Sequence, residues 1–537
     1  TAVGYQSGKL VTTGVENTIM GGLAGDALTD ADNNVAIGMS ALTTDTLGSK
    51  SVAIGHSALA TQNFTTATDS FNTAVGPNAG QGVTTGVNNT LIGSAAGNDF
   101  TDADFNTALG ANSLREDTLG SKATALGYYA LGNQNFTTAT DSLNTAVGYH
   151  AGLAVSTGTK NVLIGGLAGD ALTNANRNVA VGIQALTTDT LGSKSTAIGS
   201  FSLNNQNFTT ATDTFNTAVG YEAGTAVTTG VQNTLIGGLA GDALTNANNN
   251  VAIGKGALST DTLGSKSIAI GVDALATQNF TTATDTNNIA VGFSAGNLLT
   301  TGTNNTLIGA LTGDALTAAN VNVAVGHRAL SQDTLGSRSV AIGPFALYSQ
   351  NFTTATNTLN TAVGVDAGVA ATTGVQNTLI GALAGDALTD ADYNVAVGIE
   401  ALSADTLGSG STAIGRNALS TQNFTTATTT NNTAVGDRAG LAVTTGVQNT
   451  LIGGLAGDAL NVGVENVSLG YASLTTDTKG SFSTAIGTFA LAAQNFTTAT
   501  NTYNTAVGYN AGAAVNTGTN NTLIGGLAGD ALTTGLQ

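Results

Sequence analysis

Histidine and aspartate are the residues of this sequence best suited to acid–base or metal chemistry, and their spacing argues against both. The three histidines, His56, His150 and His327, lie far apart, each one or two residues after a glycine. A catalytic histidine needs a partner within hydrogen-bond distance, and no partner residue recurs beside these three. We therefore expect all three to be exposed turn residues. The sequence predicts no catalytic residue and a protein that is not an enzyme.

Aspartates recur in two series with a period of 72 residues. The first contains Asp26, Asp170, Asp242, Asp314, Asp386, Asp458 and Asp530, with Asn98 replacing one member. The second contains Asp45, Asp117, Asp189, Asp261, Asp333, Asp405 and Asp477. If four sheet-spaced coils separate successive members, these lie about 19 Å apart. That distance exceeds metal-ligand reach and the ~8 Å screening length. The string "DTLGS" instead favours an Asx-turn at Asp45.

A calcium loop and a phosphate loop are both poor fits to the sequence. The acidic string "DALTDADNN" is not maintained, because its copies read "TNAN", "TAAN" and, at 461–464, "NVGV". Calcium requires six to eight oxygen ligands in a fixed cage. The glycine-rich segments lack the lysine and the strand–loop–helix context of a phosphate-binding loop. The sequence therefore predicts no metal site and no cofactor.

Composition narrows the class of protein further. The chain of 537 residues has 72 Gly, two Pro, no Cys and no Trp, and 41% of its residues are hydrophobic. Fourteen basic and 33 acidic residues give a net charge of 14 − 33 = −19, which argues against nucleic acid and anionic lipid as partners. No apolar run is long enough to span a membrane, so we expect no direct membrane insertion. The absence of cysteine is compatible with an extracellular location.

The sequence is one repeat from end to end. The string "QNFTTAT" recurs every 72 residues, and inside each 72 an apolar motif ends on a glycine at spacings of 17, 17, 17 and 21. Thirty such motif glycines run from Gly4 to Gly525 without an interruption, so residues 1–537 are predicted to be a single continuous segment. Because Thr1 lies inside a motif and Gln537 falls twelve residues past Gly525, we expect this segment to belong to a longer chain.

Each unit is predicted to be one coil of a solenoid. In motifs such as "NTAVG" and "NVAIG", a run with β-branched residues is followed by a glycine, which is typical of a short strand. A second extended piece follows, as at 513–518, giving two strands of about five residues and two turns. Coils stacked at the ~4.8 Å strand spacing would make a rod on the order of 140 Å long. The predicted fold is an all-β parallel solenoid of about 30 coils.

Counting from the motif glycine assigns each column a face. Offsets −1 and −3 share one strand face, and we assign them to the core together with apolar residues at +7 or +9. The core residues predicted at +7 and +9 are Leu28, Val83, Leu47 and Phe64. Asn or Ser at −4, as in Asn17, Asn34, Ser51 and Asn72, is expected to form a structural ladder.

Offset −2 carries Ala36, Ala53 and Ala74, with Ile19 or Leu91 in one coil of four. A strand that is apolar on both faces is normally covered on both. We therefore expect further copies of the chain to cover this column in a symmetric bundle. The alternative is that these alanines are simply exposed.

Every fourth coil carries a four-residue insertion, "NFTTATDS" in its first copy. Its phenylalanine, Phe64, Phe136 or Phe208, is expected to pack into the coil. The Thr-rich remainder is interpreted either as a contact surface or as a solvated loop. Regularly spaced threonines also indicate ice binding as a remote alternative function.

The stretch "NNVAIGMSALTTDTLGSKSVAIGHSALATQ" resembles the head repeats of trimeric autotransporter adhesins of the YadA type. That resemblance implies a left-handed parallel β-roll, three chains to a head, and adhesion to a surface or matrix ligand at the bacterial cell surface. Similar repeats occur in phage tail fibres, so a tail fibre or spike shaft at the virion surface is the alternative. The coils here are longer than the family's usual unit, and no neck, stalk or anchor barrel is present in the sequence.

Overall fold

The computed structural model describes residues 1–535, which form short strands joined by turns and contain no helix. Two compact units are distinguished, Thr1–Lys266 with Phe280–Thr284, and Ser267–Asn279 with Asp285–Gln537. Each is a parallel β-solenoid with a 17-residue spacing broken by a 21-residue coil, as the sequence predicts. Whether the units form one continuous solenoid stays a prediction. The expected ending at Gln537 lies outside the described residues.

One motif strand per coil precedes each motif glycine, and each unit contains fifteen of them. The motif strands of the first unit are Ala2–Val3, Thr18–Met20, Val35–Ile37, Val52–Ile54, Thr73–Val75, Thr90–Ile92, Thr107–Leu109, Thr124–Leu126, Thr145–Val147, Val162–Ile164, Val179–Val181, Thr196–Ile198, Thr217–Val219, Thr234–Ile236 and Val251–Ile253. Those of the second unit are Ile268–Ile270, Ile289–Val291, Thr306–Ile308, Val323–Val325, Val340–Ile342, Thr361–Val363, Thr378–Ile380, Val395–Val397, Thr412–Ile414, Thr433–Val435, Thr450–Ile452, Val467–Leu469, Thr484–Ile486, Thr505–Val507 and Thr522–Ile524.

Within each unit the motif strands pair in parallel with no register shift. Ala36 pairs with Ala53 across a 17-residue coil, and Ala53 pairs with Ala74 across a 21-residue coil. The motif glycines stack directly, with Gly21, Gly38 and Gly55 at φ angles of 132–135°. A Cβ atom on Gly21 would lie 2.5 Å from the carbonyl oxygen of Gly38. Glycine is therefore required at this offset by both backbone conformation and close approach.

The predicted second strand is wrong for most coils. Residues 513–518 form turns, and no strand is assigned there. Backbone bonds still join this side of neighbouring coils, as from the Thr12 amide to the Thr29 carbonyl at 2.9 Å. Apart from the motif strand Ala2–Val3, the two-residue strands in residues 1–535 lie beside the insertion: Gly48–Ser49, Thr68–Asp69, Gly120–Ser121, Thr140–Asp141, Gly192–Ser193, Thr212–Asp213, Gly264–Ser265, Thr284–Asp285, Gly336–Ser337, Thr356–Asn357, Gly408–Ser409, Thr428–Thr429, Gly480–Ser481 and Thr500–Asn501.

The prediction of which face of the motif strand lies in the core is wrong, because the opposite face is buried. The column at −2 points into its own coil, where Ala36, Ala53 and Leu91 are fully buried. The columns at −1 and −3 point outward and are half-buried or exposed. The physical reason is coil thickness, because an interior bounded by single strands and tight turns has room for alanine but not for two facing rows of isoleucine.

The prediction that sister chains cover the −2 column is therefore wrong, because the chain itself covers that column. Of the predicted core residues in the second half of the coil, Leu28, Val83 and Phe64 are buried, whereas Leu47 is only half-buried. In that coil the buried leucine is Leu42, at +4.

Core volume is balanced between neighbouring coils. Leu59 occupies offset +4 in one coil and Gly80 occupies it in the next. A Cβ atom on Gly80 would lie 2.6 Å from Leu91 Cδ1 and 2.9 Å from Leu59 Cδ2. Leu91 therefore fills the space that a side chain at Gly80 would need, and the sequence exchanges leucine between the two offsets from coil to coil.

Candidate functional site

The principal candidate surface is the outward face of the motif strands, which we call the outer face and define as offsets −1 and −3. At −1 every residue from Val3 to Ile524 is Val, Ile, Leu or Met, and at −3 every residue is Thr, Val or Ile. Ile164 and Ile236 are each 37% exposed. Within each unit, exposed apolar side chains repeated from coil to coil make this face a candidate interaction surface. The outer face carries no charged residue and no group for acid–base chemistry.

The Asn/Ser column at −4 holds the outer face in register, as the sequence predicts. Asn17 Oδ1 accepts a bond from the Asn34 backbone amide at 2.9 Å. Asn34 Nδ2 donates to the Gly48 carbonyl at 2.9 Å, and Asn34 Oδ1 accepts from the Ser51 amide. Each side chain thus bridges successive coils inside the protein. This ladder positions the strands, and its side-chain amide groups are engaged in hydrogen bonds within the chain.

The second aspartate series is buried and structural, and the predicted turn at Asp45 is confirmed. Asp45 Oδ1 accepts bonds from the amides of Gly48 at 3.0 Å and Phe64 at 3.1 Å. Asp45 Oδ2 accepts from Gln62 Nε2 at 2.5 Å, and Gln62 Oε1 accepts from Asn72 Nδ2 at 2.9 Å. Gln62 is not among the residues predicted from the sequence, although its strict recurrence before "NFT" is a usable signal. These bonds anchor the start of the insertion.

Asp117 shows the same arrangement with one difference. Ala123 stands where Ser51 stands in the first repeat, and Ser51 Oγ accepts a second bond from Gln62 at 2.8 Å. Burial raises the pKa of the Asp117 carboxyl, opposed by bonds from Gln134 and from the Phe136 and Gly120 amides. The carboxylate is saturated by donors of its own chain, so it has no free oxygen for catalysis.

The first aspartate series lies at turns after the motif glycine, where its members are half-buried except for the exposed Asp530. Asp26 and Asp170 accept bonds from Thr43 at 2.6 Å and Thr187 at 2.8 Å. Asp242 and Asp386 each have a buried Oδ1 without a hydrogen-bond partner. Burial raises the pKa of both carboxyls, with added repulsion from Glu222 at Asp242.

The histidine prediction holds for two of the three residues. His56 and His327 are exposed, whereas His150 is half-buried. The His150 ring stacks on Tyr149 with centroids 3.9 Å apart, and Tyr128 and Tyr129 complete a surface aromatic cluster. This cluster is not among the sequence predictions, because its tyrosines come from two coils. Its rings present apolar surface but no hydrogen-bonded base or nucleophile.

The insertion divides as predicted into a buried and an exposed part. Phe64, Phe136 and Phe208 are 5%, 5% and 6% exposed, which confirms their packing into the coil. Thr65 and Thr66 are exposed, and Thr68–Asp69 pairs with Gly48–Ser49. The insertion thus presents threonine hydroxyls once in four coils.

The oxygens of the calcium-like string are used within the fold. Asp30 accepts a bond from Thr13, and Asp32 Oδ1 accepts from the Val15 amide at 2.7 Å. No group of three acidic or histidine side chains in residues 1–535 is placed to hold a metal ion. Over the same residues no helix is long and apolar enough to cross a membrane.

Comparisons with known proteins add no family to this description. No family model matches the chain, and no curated protein matches its sequence.

Proposed function

We propose that the protein is a structural or adhesive fibre at a bacterial cell surface, which assembles from several copies of the chain and attaches through repeated weak contacts. The observation that carries the proposal is the uninterrupted aliphatic column at −1 on the outer face. Removing such a surface from water is favourable at roughly 25 cal/mol per Å². A partner must cover this face for the chain to reach its most stable state.

A second copy is the partner that fits best. Only a surface with the same coil spacing stays matched to the outer face over successive coils. The face is uncharged, which lets two chains of net charge −19 meet there without placing acids against each other. Closed rotational symmetry limits such assembly to a defined number of chains. The resemblance to YadA-type repeats implies three, and we propose a homotrimer.

Adhesion follows from repetition. An assembly of three chains presents each exposed turn several times, so weak single contacts add up to strong attachment. A phage tail fibre or spike shaft uses the same construction and is the alternative. No catalytic step is part of the proposal, because every buried carboxylate described above serves the fold or lacks a partner base.

The test is a count of chains by light scattering at micromolar concentration. We expect three chains for the unmodified protein and one chain for the double variant Ile164→Lys/Ile236→Lys, because a lysine pair on the outer face would be buried unpaired. The matched control Ile183→Lys/Tyr221→Lys changes exposed residues off this face and should remain assembled. A well-folded unmodified monomer would refute the proposal.

Ice binding is the second candidate, because the outer face itself offers threonine at −3 in most coils beside Val, Ile, Leu or Met at −1. This candidate requires the face to be free in the working protein. Measurement of thermal hysteresis on the unmodified protein decides it. Activity in a monomer, lost in Ile164→Lys/Ile236→Lys, would favour ice binding over the fibre.

A further inference from the structure

One edge of the solenoid reverses its charge in the third 72-residue repeat. The position five residues before each motif glycine is a turn residue that the scaffold leaves free to vary. On three successive coils this position holds Lys160, Arg177 and Lys194, which we call the basic row. The whole chain contains only 14 Lys and Arg residues, so three on adjacent coils is a strong local concentration.

The members of the basic row are stacked by backbone bonds. The Arg177 amide donates to the Thr159 carbonyl at 3.0 Å, and the Lys194 amide donates to the Asn176 carbonyl at 3.0 Å. Neighbouring members therefore start from backbones about 4.8 Å apart. Lys160 and Arg177 are exposed, and neither has an ion-pair partner among residues 1–535.

At the same edge, acidic residues of the first repeat are replaced by asparagine in the third repeat, which contains the basic row. The first repeat has Asp30 and Asp32 in "TDAD", whereas the third has Asn174 and Asn176 in "TNAN". The exchange preserves the fold, because Asn176 Oδ1 accepts the Thr159 amide at 2.8 Å just as Asp32 accepts Val15. Only the charge changes.

The reversal can be counted on equivalent positions. In the first repeat the edge carries one cation and four anions, 1 − 4 = −3: Lys50, Glu16, Asp30, Asp32 and Asp69. In the third repeat it carries three cations and one anion, 3 − 1 = +2: Lys160, Arg177, Lys194 and Asp213. Asp189 lies inside the coil beneath this edge, where its oxygens accept bonds from Gly192, Gln206 and Phe208.

The basic row borders an open groove of about 390 Å³. Its lining is polar and consists of Thr159, Asn176, Arg177, Ser193, Lys194 and Asp213. Lys194 is held in place by Asp213 at 2.6 Å and lies 4.9 Å from the centroid of the Phe215 ring. Ser193 Oγ accepts the Asn176 amide at 2.9 Å, which leaves the hydroxyl proton free to donate.

We propose that the basic row and its groove bind a short stretch of a sulfated polysaccharide, with sulfate groups on Lys160 and Arg177 and sugar hydroxyls on the groove wall. A three-coil footprint on a chain of net charge −19 suits a few anionic groups rather than a long polyanion, which the rest of the surface repels. Nucleic acid is disfavoured further, because Lys194 lies over one face of the Phe215 ring and competes there with base stacking.

This inference names a ligand class for the adhesive contacts and so rests on the proposed function. The probe is a heparin-derived tetrasaccharide, with its fully desulfated form as the ligand control. Titration calorimetry should detect binding to the unmodified protein that weakens between about 50 and 200 mM salt. The desulfated form should not bind.

The variant Lys160→Gln/Arg177→Asn copies Gln232 and Asn249, which occupy the same positions in the fourth repeat. It should lose about tenfold or more in affinity, since two charge contacts disappear. Lys9→Gln/Lys255→Gln removes two exposed charges elsewhere and should bind like the unmodified protein. Circular dichroism checks that each variant is folded.

A gain of binding gives the sharpest test. The variant Gln232→Lys/Asn249→Arg rebuilds the row beside Lys266 and should raise the stoichiometry from one to two tetrasaccharides per chain. Equal binding by the unmodified protein and Lys160→Gln/Arg177→Asn would overturn the site. Equal affinity for single-stranded DNA or for phosphatidylglycerol vesicles would overturn its ligand class. Both results leave the chain count untouched, so failure of the site and failure of the fibre are distinguishable.

Discussion

The glycine at the end of each motif strand is the residue whose substitution the fold tolerates least. At Gly148 the φ angle is 141°, and a Cβ atom would lie 2.5 Å from the Gly165 carbonyl oxygen. The neighbour is backbone and cannot move aside. At Gly166, one residue after a motif glycine, nothing lies within 4 Å of the position that a Cβ atom would take.

Gly148→Ala is therefore expected to cost about 3 kcal/mol or more, from backbone strain together with the clash. Hydrogen exchange at the Gly165 amide, which donates to Val147 at 2.8 Å, should speed up sharply, and the melting temperature should fall. Gly166→Ala is the matched control and should leave both unchanged. Equal effects of the two substitutions would show that stacking of the motif glycines is not the constraint.

The pKa of Asp386 is raised above its ordinary 3.8 by burial, with further repulsion from Glu400 and Asp366. The folded protein therefore holds this proton more tightly than the unfolded chain. The free energy of unfolding falls as pH rises from the ordinary value through the raised folded pKa, and it stays lower above that range.

Asp386→Asn should thus raise the melting temperature at pH 7 and have no effect below the ordinary pKa. Asp314→Asn is the control of equal charge change. Asp314 Oδ1 accepts a bond from Ser331 at 2.5 Å, so this substitution weakens a charge-assisted bond and should not stabilise. A gain of stability in both variants would assign the effect to net charge instead.

At the scale of the coil, Leu91 and Gly80 act as a pair. Leu91→Ala alone should cost about 2–5 kcal/mol, as expected for a buried leucine. Gly80→Ala alone should cost about 1–3 kcal/mol, because the added methyl meets Leu91 Cδ1 and Leu59 Cδ2. The double variant should cost less than the sum, with a coupling of about 1 kcal/mol or more. Denaturant unfolding of the four proteins measures it, and strict additivity would contradict the packing.

Period, strand position and turn chemistry were predictable because each is a local property that recurs at fixed spacing along the chain. The 72-residue period fixes the coil length, and the Asn17–Asn34 ladder and the Asp45 turn follow from short polar side chains near glycine. The prediction of two strands per coil was wrong, because turn residues supply the backbone hydrogen bonds between coils without adopting strand conformation. The bond from the Thr12 amide to the Thr29 carbonyl is an example.

The face of the motif strand was not predictable from hydrophobicity alone. Both faces of the strand are apolar, so the larger residues at −1 and −3 were predicted to lie in the core. Coil thickness instead places the smaller residues at −2 in the core and the residues at −1 and −3 outside. A signal was present: leucine at Leu91 coincides with glycine at Gly80 and Gly97, and alanine at −2 coincides with leucine at Leu59. Such volume exchange occurs only between residues that share an interior. The aromatic cluster and the basic row each required neighbours from different coils.

At the scale of the whole molecule, the outer face and the net charge act in opposite directions on the proposed assembly. Association of the outer faces removes aliphatic surface from water, whereas chains of −19 repel one another. Salt screens the repulsion over a distance of about 10 Å at 0.1 M and leaves the apolar term in place.

Raising salt from about 10 to about 150 mM should therefore tighten assembly of the chains, measured as the dissociation constant by sedimentation equilibrium. Tetrasaccharide binding at the basic row should weaken over the same range, so the two interactions are separable by one variable. Ile164→Lys/Ile236→Lys should stay unassembled at every salt concentration. Assembly that weakened with salt would place ion pairs, rather than the aliphatic column at −1, at the contact between chains.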